Sequence, residues 1–375
     1  MRVLLDATAV PADRGGVGRY VDELVPALVR QGADLVVAVQ PRDLDVVGSF
    51  AAGAEVVAAP AATGRRAVRL AWEQAGLPAL VRRVRADVLH SPHYTLPALA
   101  PVPVVVTLHD ATFFSHPEVH TGTKGRFFRA ATRVAVRRAA ALVVPSAATR
   151  DEVRRFTGAP AERFHVAYHG VDTAVFHPVD DAERRRVAAS LGVTGGYVGF
   201  LGTLEPRKNV PALVRAWQEV CADRADPPAL VLAGGKGWDD DVEPALAAVP
   251  GHLRAIRAGY LPFDDLAGFL AGALVLAYPS RGEGFGLPVL EAMACGAAVL
   301  TTRELSLPEV GGDAVAYCGT DEAEIARGLR ALLDAPQERG RLGEAARRRA
   351  EGFTWDASAA AHLEAYAAAV RAPGA

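Results

Sequence analysis

The densest run of candidate chemistry in this 375-residue chain is Glu283-Gly284-Phe285-Gly286-Leu287-Pro288-Val289-Leu290-Glu291. Pro288 suits the first turn of a helix, so Glu283 stands on a glycine-rich loop and Glu291 projects from the helix that begins there. Two carboxylates so placed cannot share one task. Glu283 can accept hydrogen bonds from sugar hydroxyls, the amides of Gly284, Phe285, Gly286 and Leu287 can face a phosphate, and Glu291 can hold ribose hydroxyls. Without the loop in front of it, Glu291 would read as a glutamate stabilised by the helix dipole.

A second group is Gly202-Thr203-Leu204-Glu205-Pro206-Arg207-Lys208-Asn209, directly after an apolar run. Of 41 basic residues only Lys124, Lys208 and Lys236 are lysines, so a lysine in this chain is an exception to an arginine default. A forked guanidinium beside a compact ammonium at a strand end suits a departing diphosphate, whose bridging oxygen gathers negative charge as its bond to a sugar breaks. The bland alternative is a solvated Arg-Lys turn. A third group, Gly15-Gly16-Val17-Gly18-Arg19, leads into a helix over Tyr20 to Gln31, where backbone amides can approach an anion. It is not GxGxxG, so it gives a nicotinamide cofactor little support, and alone it is also an ordinary tight turn.

These loops need strands to position them, and the apolar runs supply two series. Val3 to Leu5, Leu35 to Val39, Val88 to His90, Val102 to Leu108 and Ala141 to Val144 alternate with longer Ala/Arg/Leu segments, the pattern of a parallel sheet with helices on both faces. The pattern restarts at Tyr197 to Leu201 and continues through Leu230 to Leu232, Arg254 to Ala258, Leu274 to Tyr278 and Ala297 to Thr301. Between the series lies a Gly/Pro-marked crossing, Tyr168 to Pro178, followed by a helix at Asp180 to Ser190. The expectation is an acceptor-side domain over residues 1–177, a second domain over 178–355, and a C-terminal helix over 356–375 that braces the two by packing back on the first. Ligands of open parallel sheets sit outside the carboxyl ends of the strands, which is where all three groups fall.

Composition removes other classes. A formal charge of −2 supplies no field for nucleic acid, and Cys221, Cys295 and Cys318 form neither a CxxC pair nor a disulfide framework. The N-terminal stretch has no long apolar region ending in a cleavage site, and no run approaches the roughly 20 apolar residues of a membrane span, so a cytoplasmic location is expected. Asp239-Asp240-Asp241 could suggest a divalent ion, but Arg207 and Lys208 already supply positive charge, and no metal or cofactor is expected. The basic stretch from Arg126 to Arg138 reads either as a helix docking peripherally on the inner face of a membrane or as the outer face of a core helix. His90, His93, His116 and His120 lack metal-ligand spacing and are expected in loops.

The Glu283 to Glu291 segment resembles the E-x7-E signature of family-4 retaining glycosyltransferases, and Thr203 to Asn209 resembles their diphosphate-binding stretch. Gly15 to Tyr20, Thr107 to Phe113, Ala292 to Gly296 and Ser306 to Glu309 are similar, in order and spacing, to the bacterial mannosyltransferase-like branch. The resemblance implies the GT-B fold, two Rossmann-like doubly wound domains facing a central cleft. It also implies a hexose, mannose or similar, moved from a nucleoside-diphosphate sugar held mainly by the second domain to a saccharide, lipid-linked or natural-product hydroxyl acceptor met by the first, with retention at the anomeric carbon. It assigns Arg207 and Lys208 to the diphosphate, Glu283 to the donor sugar and Glu291 to the ribose, with His109 over the reacting sugar, Asp110 beside it, and Gly16 approaching phosphate or acceptor. His109 could position the sugar, carry a proton or be a backbone-capped structural residue. Thr203 stands where many members carry arginine, which leaves Arg207 a larger share of the charge. Arg281 and Arg303-Glu304-Leu305 depart from the family pattern near the place where donor choice is set.

Nothing nominates a nucleophile on the second face of the sugar, which favours front-face substitution with the leaving phosphate taking the acceptor proton. Two other uses of these residues are an epimerase acting on the nucleotide sugar alone, and a non-catalytic nucleotide-sugar-binding or membrane-associated subunit.

Overall fold

In the computed structural model, which describes every residue except 13, 121 and 373–375, the apolar runs form two parallel sheets. The first contains β1 (Arg2–Asp6), β2 (Asp34–Val39), β3 (Glu55–Ala58), β4 (Val88–Ser91), β5 (Val104–Thr107), β6 (Ala141–Val144) and β7 (Phe164–Val166), in the order β3-β2-β1-β4-β5-β6-β7. The second contains β8 (Tyr197–Leu201), β9 (Ala229–Ala233), β10 (Ala255–Gly259), β11 (Val275–Tyr278), β12 (Val299–Thr302) and β13 (Ala316–Cys318), in the order β10-β9-β8-β11-β12-β13. Central strands such as β5 and β9 are buried along their whole length, which is why they read as continuous Val/Leu/Ala runs. The strands with no clear signature, β3, β7 and β13, are the short or half-exposed edges, where an apolar run has no face to fill.

The chain leaves its first compact unit after Gly170 and returns to it at Thr354, so Met1–Gly170 joins Thr354–Ala375, and Val171–Phe353 is a unit of its own. The crossing therefore comes earlier than the boundary expected between 177 and 178. The amide of Val171 donates to Phe353 O at 3.1 Å, and Val171 and Phe176 are buried in the second unit's core, so residues 171–177 pack with that unit. The helix Trp355–Arg371 belongs to the first unit, packing on the helix Gly16–Arg30 and on β4 to β7; residues 373–375 of that segment lie outside the described ones. Thr354 caps it by accepting the Ala357 amide at 3.1 Å. Among the described residues no helix is long and apolar enough to cross a membrane.

In each sheet the first strand of the series lies between the second and the fourth, β1 between β2 and β4, and β8 between β9 and β11. Strand order reverses there, and the loops leaving those strands diverge to make a crevice.

Candidate active site

In the second unit that crevice is filled by charge. Beyond β8 the single turn Pro206–Lys208 presents Arg207 and Lys208, and Asn209 ends it in the left-handed region at φ 61°, so the helix Val210–Cys221 can leave in a new direction. From the neighbouring β11, the loop through Ser280 carries Glu283 back toward them. Lys208 Nζ donates to Glu283 Oε1 at 2.7 Å, and Arg207 forms an ion pair with Oε2. Ser280 Oγ donates to Oε1 at 2.7 Å and the Tyr278 hydroxyl at 3.0 Å, while Lys208 also reaches the Tyr278 hydroxyl. Glu205 Oε1 accepts from Arg207 Nη2 at 2.5 Å. Two cations thus face two carboxylates, and the quartet is neutral as it stands.

Burial alone would raise the Glu283 pKa, but the charges and hydrogen bonds of Arg207 and Lys208 override it and hold the carboxyl at about 2. Lys208 is pulled below its ordinary value by burial and then by Arg207, against the opposing pull of Glu283 and Glu205. Burial, with the Glu283 charge, pushes the Tyr278 hydroxyl well up, so it remains a donor. Glu283 is therefore an anion at neutral pH and not a proton carrier.

The loop is fixed by its backbone. Arg207 Nη1 donates to Gly282 O at 2.6 Å, Thr302 Oγ1 to Ser280 O at 2.6 Å, and the Ser306 hydroxyl lies 2.8 Å from Glu283 O and 2.9 Å from Phe285 O. Gly286 sits at φ 104° as the N-cap of the helix Leu287–Ala294, where a Cβ would come within 2.9 Å of Leu307 Cδ2. Glu291, 1 % exposed, lies one turn into that helix. The Phe285 ring is buried in the unit's core, 6.0 Å from Phe353, so only its backbone is left to meet a ligand, and Leu287 also packs against that core. Gly284 lies between Glu283 and Phe285 on this loop, and Thr203, half-buried, heads the loop after β8. Arg281 turns to Asn209 Oδ1 at 3.1 Å, and the Arg303 guanidinium lies 4.0 Å over the Tyr317 ring. Of the aspartate triplet, Asp239 Oδ1 accepts the Asp241 amide at 3.1 Å, and among the described residues no three His, Cys, Asp or Glu side chains are gathered as metal ligands.

The remaining candidates lie in the first unit. Gly16 is exposed at the start of the helix Gly16–Arg30, and a Cβ on it would meet nothing within 4 Å, so local packing does not demand glycine there. His109 follows β5 and donates from Nε2 to Pro92 O at 2.6 Å, which leaves Nδ1 as its acceptor; burial lowers its pKa, with Pro92 and Asp110 partly opposing. Asp110 Oδ1 accepts from the Thr112 amide at 3.2 Å and hydroxyl at 3.1 Å, a local turn bond.

Next to His109 lies a buried polar network that sequence reasoning missed. Tyr366 OH is 2.8 Å from His90 Nδ1, His90 Nε2 is 2.8 Å from Thr107 Oγ1, Thr107 Oγ1 is 3.0 Å from Tyr20 OH, and Tyr20 OH is 2.6 Å from His362 Nε2. His362 Nδ1 donates to Ser358 O at 2.7 Å, so the bonds can all run in one direction only if both histidines are neutral. His90 stands on β4, as the apolar run Val88 to His90 implies, and not in a loop with the other three histidines grouped with it. Tyr278 and Ser280 were also missed as partners of Glu283, although they immediately precede it in sequence.

Residues 14–175 match the model of Glycosyltransferase Family 4, and residues 182–349 that of Glycosyl transferases group 1. The chain is 34 % identical over 236 residues to O-antigen chain mannosyltransferase B of Escherichia coli, a match covering 62 % of this chain and 61 % of that protein. It is 32 % identical over 381 residues to a D-inositol 3-phosphate glycosyltransferase of Acidothermus cellulolyticus, covering 92 % and 83 % of the two. Among solved structures, sucrose-phosphate synthase of Thermosynechococcus elongatus aligns with a TM-score of 0.77 at 18 % identity, covering 98 % of each chain. HepE of Anabaena in complex with UDP-glucose aligns at 0.75 and 18 %, covering 97 % of this chain and 99 % of that one, a likeness of fold.

Proposed function

The chain belongs to glycosyltransferase family 4 and has the GT-B fold, and from that premise we propose that it moves a hexose from a nucleoside-diphosphate sugar to a hydroxylated acceptor, with retention and without a metal. The observation that carries the reading is the convergence of Arg207 and Lys208 on Glu283 at the strand-order reversal of the second sheet. Donor diphosphate draws the two cations partly away from Glu283, and the freed carboxylate oxygens accept from sugar hydroxyls. Gly284 to Leu287 offer amides to the phosphate and Glu291 holds the ribose. Mannose as the sugar is supported by the Escherichia coli relative's name, and a nucleotide sugar as donor by the HepE complex.

As the bond from the anomeric carbon to the phosphate oxygen breaks, that oxygen gains charge beside Arg207 and Lys208, whose attraction grows with it. The acceptor oxygen bonds to the same face of the sugar, and its proton passes to the departing phosphate. Glu283 serves in this reading as an acceptor, first for the two cations and then for the sugar hydroxyls, and no covalent intermediate is assigned to it. Two fixed cations do the work that a divalent ion does elsewhere, and turnover in chelator tests this. The decisive assay measures nucleoside diphosphate release from a panel of donors and acceptors, with the product's anomeric configuration read by NMR. Inverted product, or activity abolished by chelator, would sink this mechanism; donor altered with no acceptor present would indicate an epimerase.

A further inference from the structure

The first unit has a crevice of its own, and it is positively charged. A cavity of about 390 Å³ is walled by the segments that follow β1 (Thr8 to Ala12), β2 (Gln40, Arg42), β3 (Thr63, Arg66) and β4 (His93, Thr95). Lys124 and Phe127, from the helix Gly122–Arg138, complete the wall. It straddles the carboxyl ends of β1 and β4, the strand-order reversal of the first sheet, where open parallel sheets take ligands. Its size is that of a small polar metabolite.

Arg42, Arg66, Arg69 and Lys124 reach this wall, and among the described residues no aspartate or glutamate lines it. The three arginines are held in place. Arg42 Nη2 donates to Val10 O at 2.9 Å, Arg69 Nη1 to Glu73 at 3.1 Å, and the Arg66 guanidinium lies 5.1 Å over the Phe127 ring. Each guanidinium has five N–H donors, so one fixed bond leaves others for a ligand. Lys124 is one of the three lysines in the arginine-default chain, and the glutamate loop does not use it. His93 Nδ1 is buried with no hydrogen-bond partner. Burial, His109 and the nearby charges of Arg69, Lys124 and Arg66 drive the His93 pKa to about 3, so its neutral ring adds no fifth charge. Arg42 is also ion-paired with Asp43 at 3.5 Å and Arg69 with Glu73, so part of their charge is answered behind the wall; the cations that face one another across it still repel, and an anion among them relieves that repulsion.

We propose that this cavity is the seat of a phosphate ester on the acceptor, gripped by Arg42, Arg66, Arg69 and Lys124, with His93 and the threonine hydroxyls on the polyol that carries it. The proposal rests on the transferase reading and names its acceptor class, a hydroxylated phosphoester. Forked guanidinium groups suit the tetrahedral oxygens of phosphate.

Calorimetric titration of the full chain tests it, with inorganic phosphate, sorbitol 6-phosphate, sorbitol and gluconate as probes. The variant is Arg66→Gln with Lys124→Gln; both side chains are exposed, and matched melting of parent and variant shows that folding is intact. Phosphate and sorbitol 6-phosphate should bind the parent and bind the double variant at least tenfold more weakly, with nucleoside diphosphate affinity unchanged. Sorbitol or gluconate binding as tightly as the phosphate ester, no binding by either phosphate probe, or equal affinity in the variant would each overturn the assignment. Phosphatidylglycerol vesicles give the second arm. Cosedimentation that the variant loses identifies a lipid headgroup as the source of the phosphate, and its absence alongside sorbitol 6-phosphate binding identifies a free ester. A parent that binds sorbitol 6-phosphate and no nucleotide refutes the transferase reading alone.

Discussion

Glu283→Gln should tighten nucleoside diphosphate binding while it slows transfer. Arg207 and Lys208 are balanced by Glu205 and Glu283, so an arriving diphosphate meets a neutral quartet. Glu283 is 6 % exposed, so its charge is poorly screened. Removing one negative charge about 6 Å from a phosphate charge relieves about 3 kcal/mol at an effective dielectric of about 20, or up to about 100-fold in affinity. Glutamine keeps the shape and still accepts from Ser280 and Tyr278. Lys208→Met has the opposite sign, leaving the quartet with a net negative charge and weakening the same ligand by a similar factor. Transfer falls in both variants, by about 10²–10³ for the lost cation. Calorimetric titration of the diphosphate against parent and both variants, with initial rates from the matching nucleotide sugar, measures both quantities. If Glu283→Gln weakens the diphosphate as much as Lys208→Met does, the carboxylate is not competing with phosphate for the two cations and the electrostatic argument fails.

The buried histidines should make the first unit acid-labile. His93 and His362 are held at about 3 and 4, and His90 and His169 well below their ordinary value, in each case foremost by burial. The unfolded chain therefore binds more protons below about pH 6.5. The stabilisation is intact above that pH and is lost as pH falls toward the folded values, at about 1.4 kcal/mol per unit per histidine, so about 3 kcal/mol for His93 and His362 between pH 7.5 and 5.5, with His90 and His169 acting in the same direction. Hydrogen exchange corrected for intrinsic rate should show β4 and the helix Trp355–Arg371 losing protection over that range while β8 and β9 keep theirs; equal loss in both units argues against it. Gly286→Ala should destabilise the second unit by about 1–3 kcal/mol, because the left-handed φ and the Leu307 contact both oppose a methyl group. An unchanged urea midpoint would show that the loop reshapes freely. Ser306→Ala removes the hydroxyl beside Glu283 O and Phe285 O, at a cost of about 1–3 kcal/mol if both carbonyls stay dry; donor KM should rise, and an unaltered KM means that the loop is held elsewhere.

The two sheets were legible in the sequence because their central strands are buried on both faces and so read as unbroken apolar runs. The half-exposed Glu55–Ala58 and the short Ala316–Cys318 gave no such run. The charged cluster was legible because arginine, lysine and glutamate sit on loops after strands, where their chemistry is visible as residue type. Its detail was not. That Arg207 and Lys208 would meet Glu283 itself depends on β8 lying beside β11, a pairing set by sheet order and not by local pattern. The network of Tyr20, His90, Thr107, His362 and Tyr366 spans nearly the whole chain, and no local spacing can announce bonds between residues hundreds of positions apart. The position of Phe285 shows the opposite difficulty: a motif marks the loop as important without saying which of its side chains faces inward.

The return of the chain to its first unit at Thr354 has a consequence in time. At about 5–20 residues per second, a ribosome spends roughly 10–40 s making Val171–Phe353 before it reaches the helix that supplies His362 and Tyr366. Throughout that interval all seven strands of the first sheet exist, but His90 lacks its tyrosine and Tyr20 its histidine. A half-finished polar network is costlier than none, so the first unit should complete its packing only after that helix emerges, whereas the inserted unit, uninterrupted in sequence, has all its strands to hand before then. The portion of the protein begun first is the portion completed last.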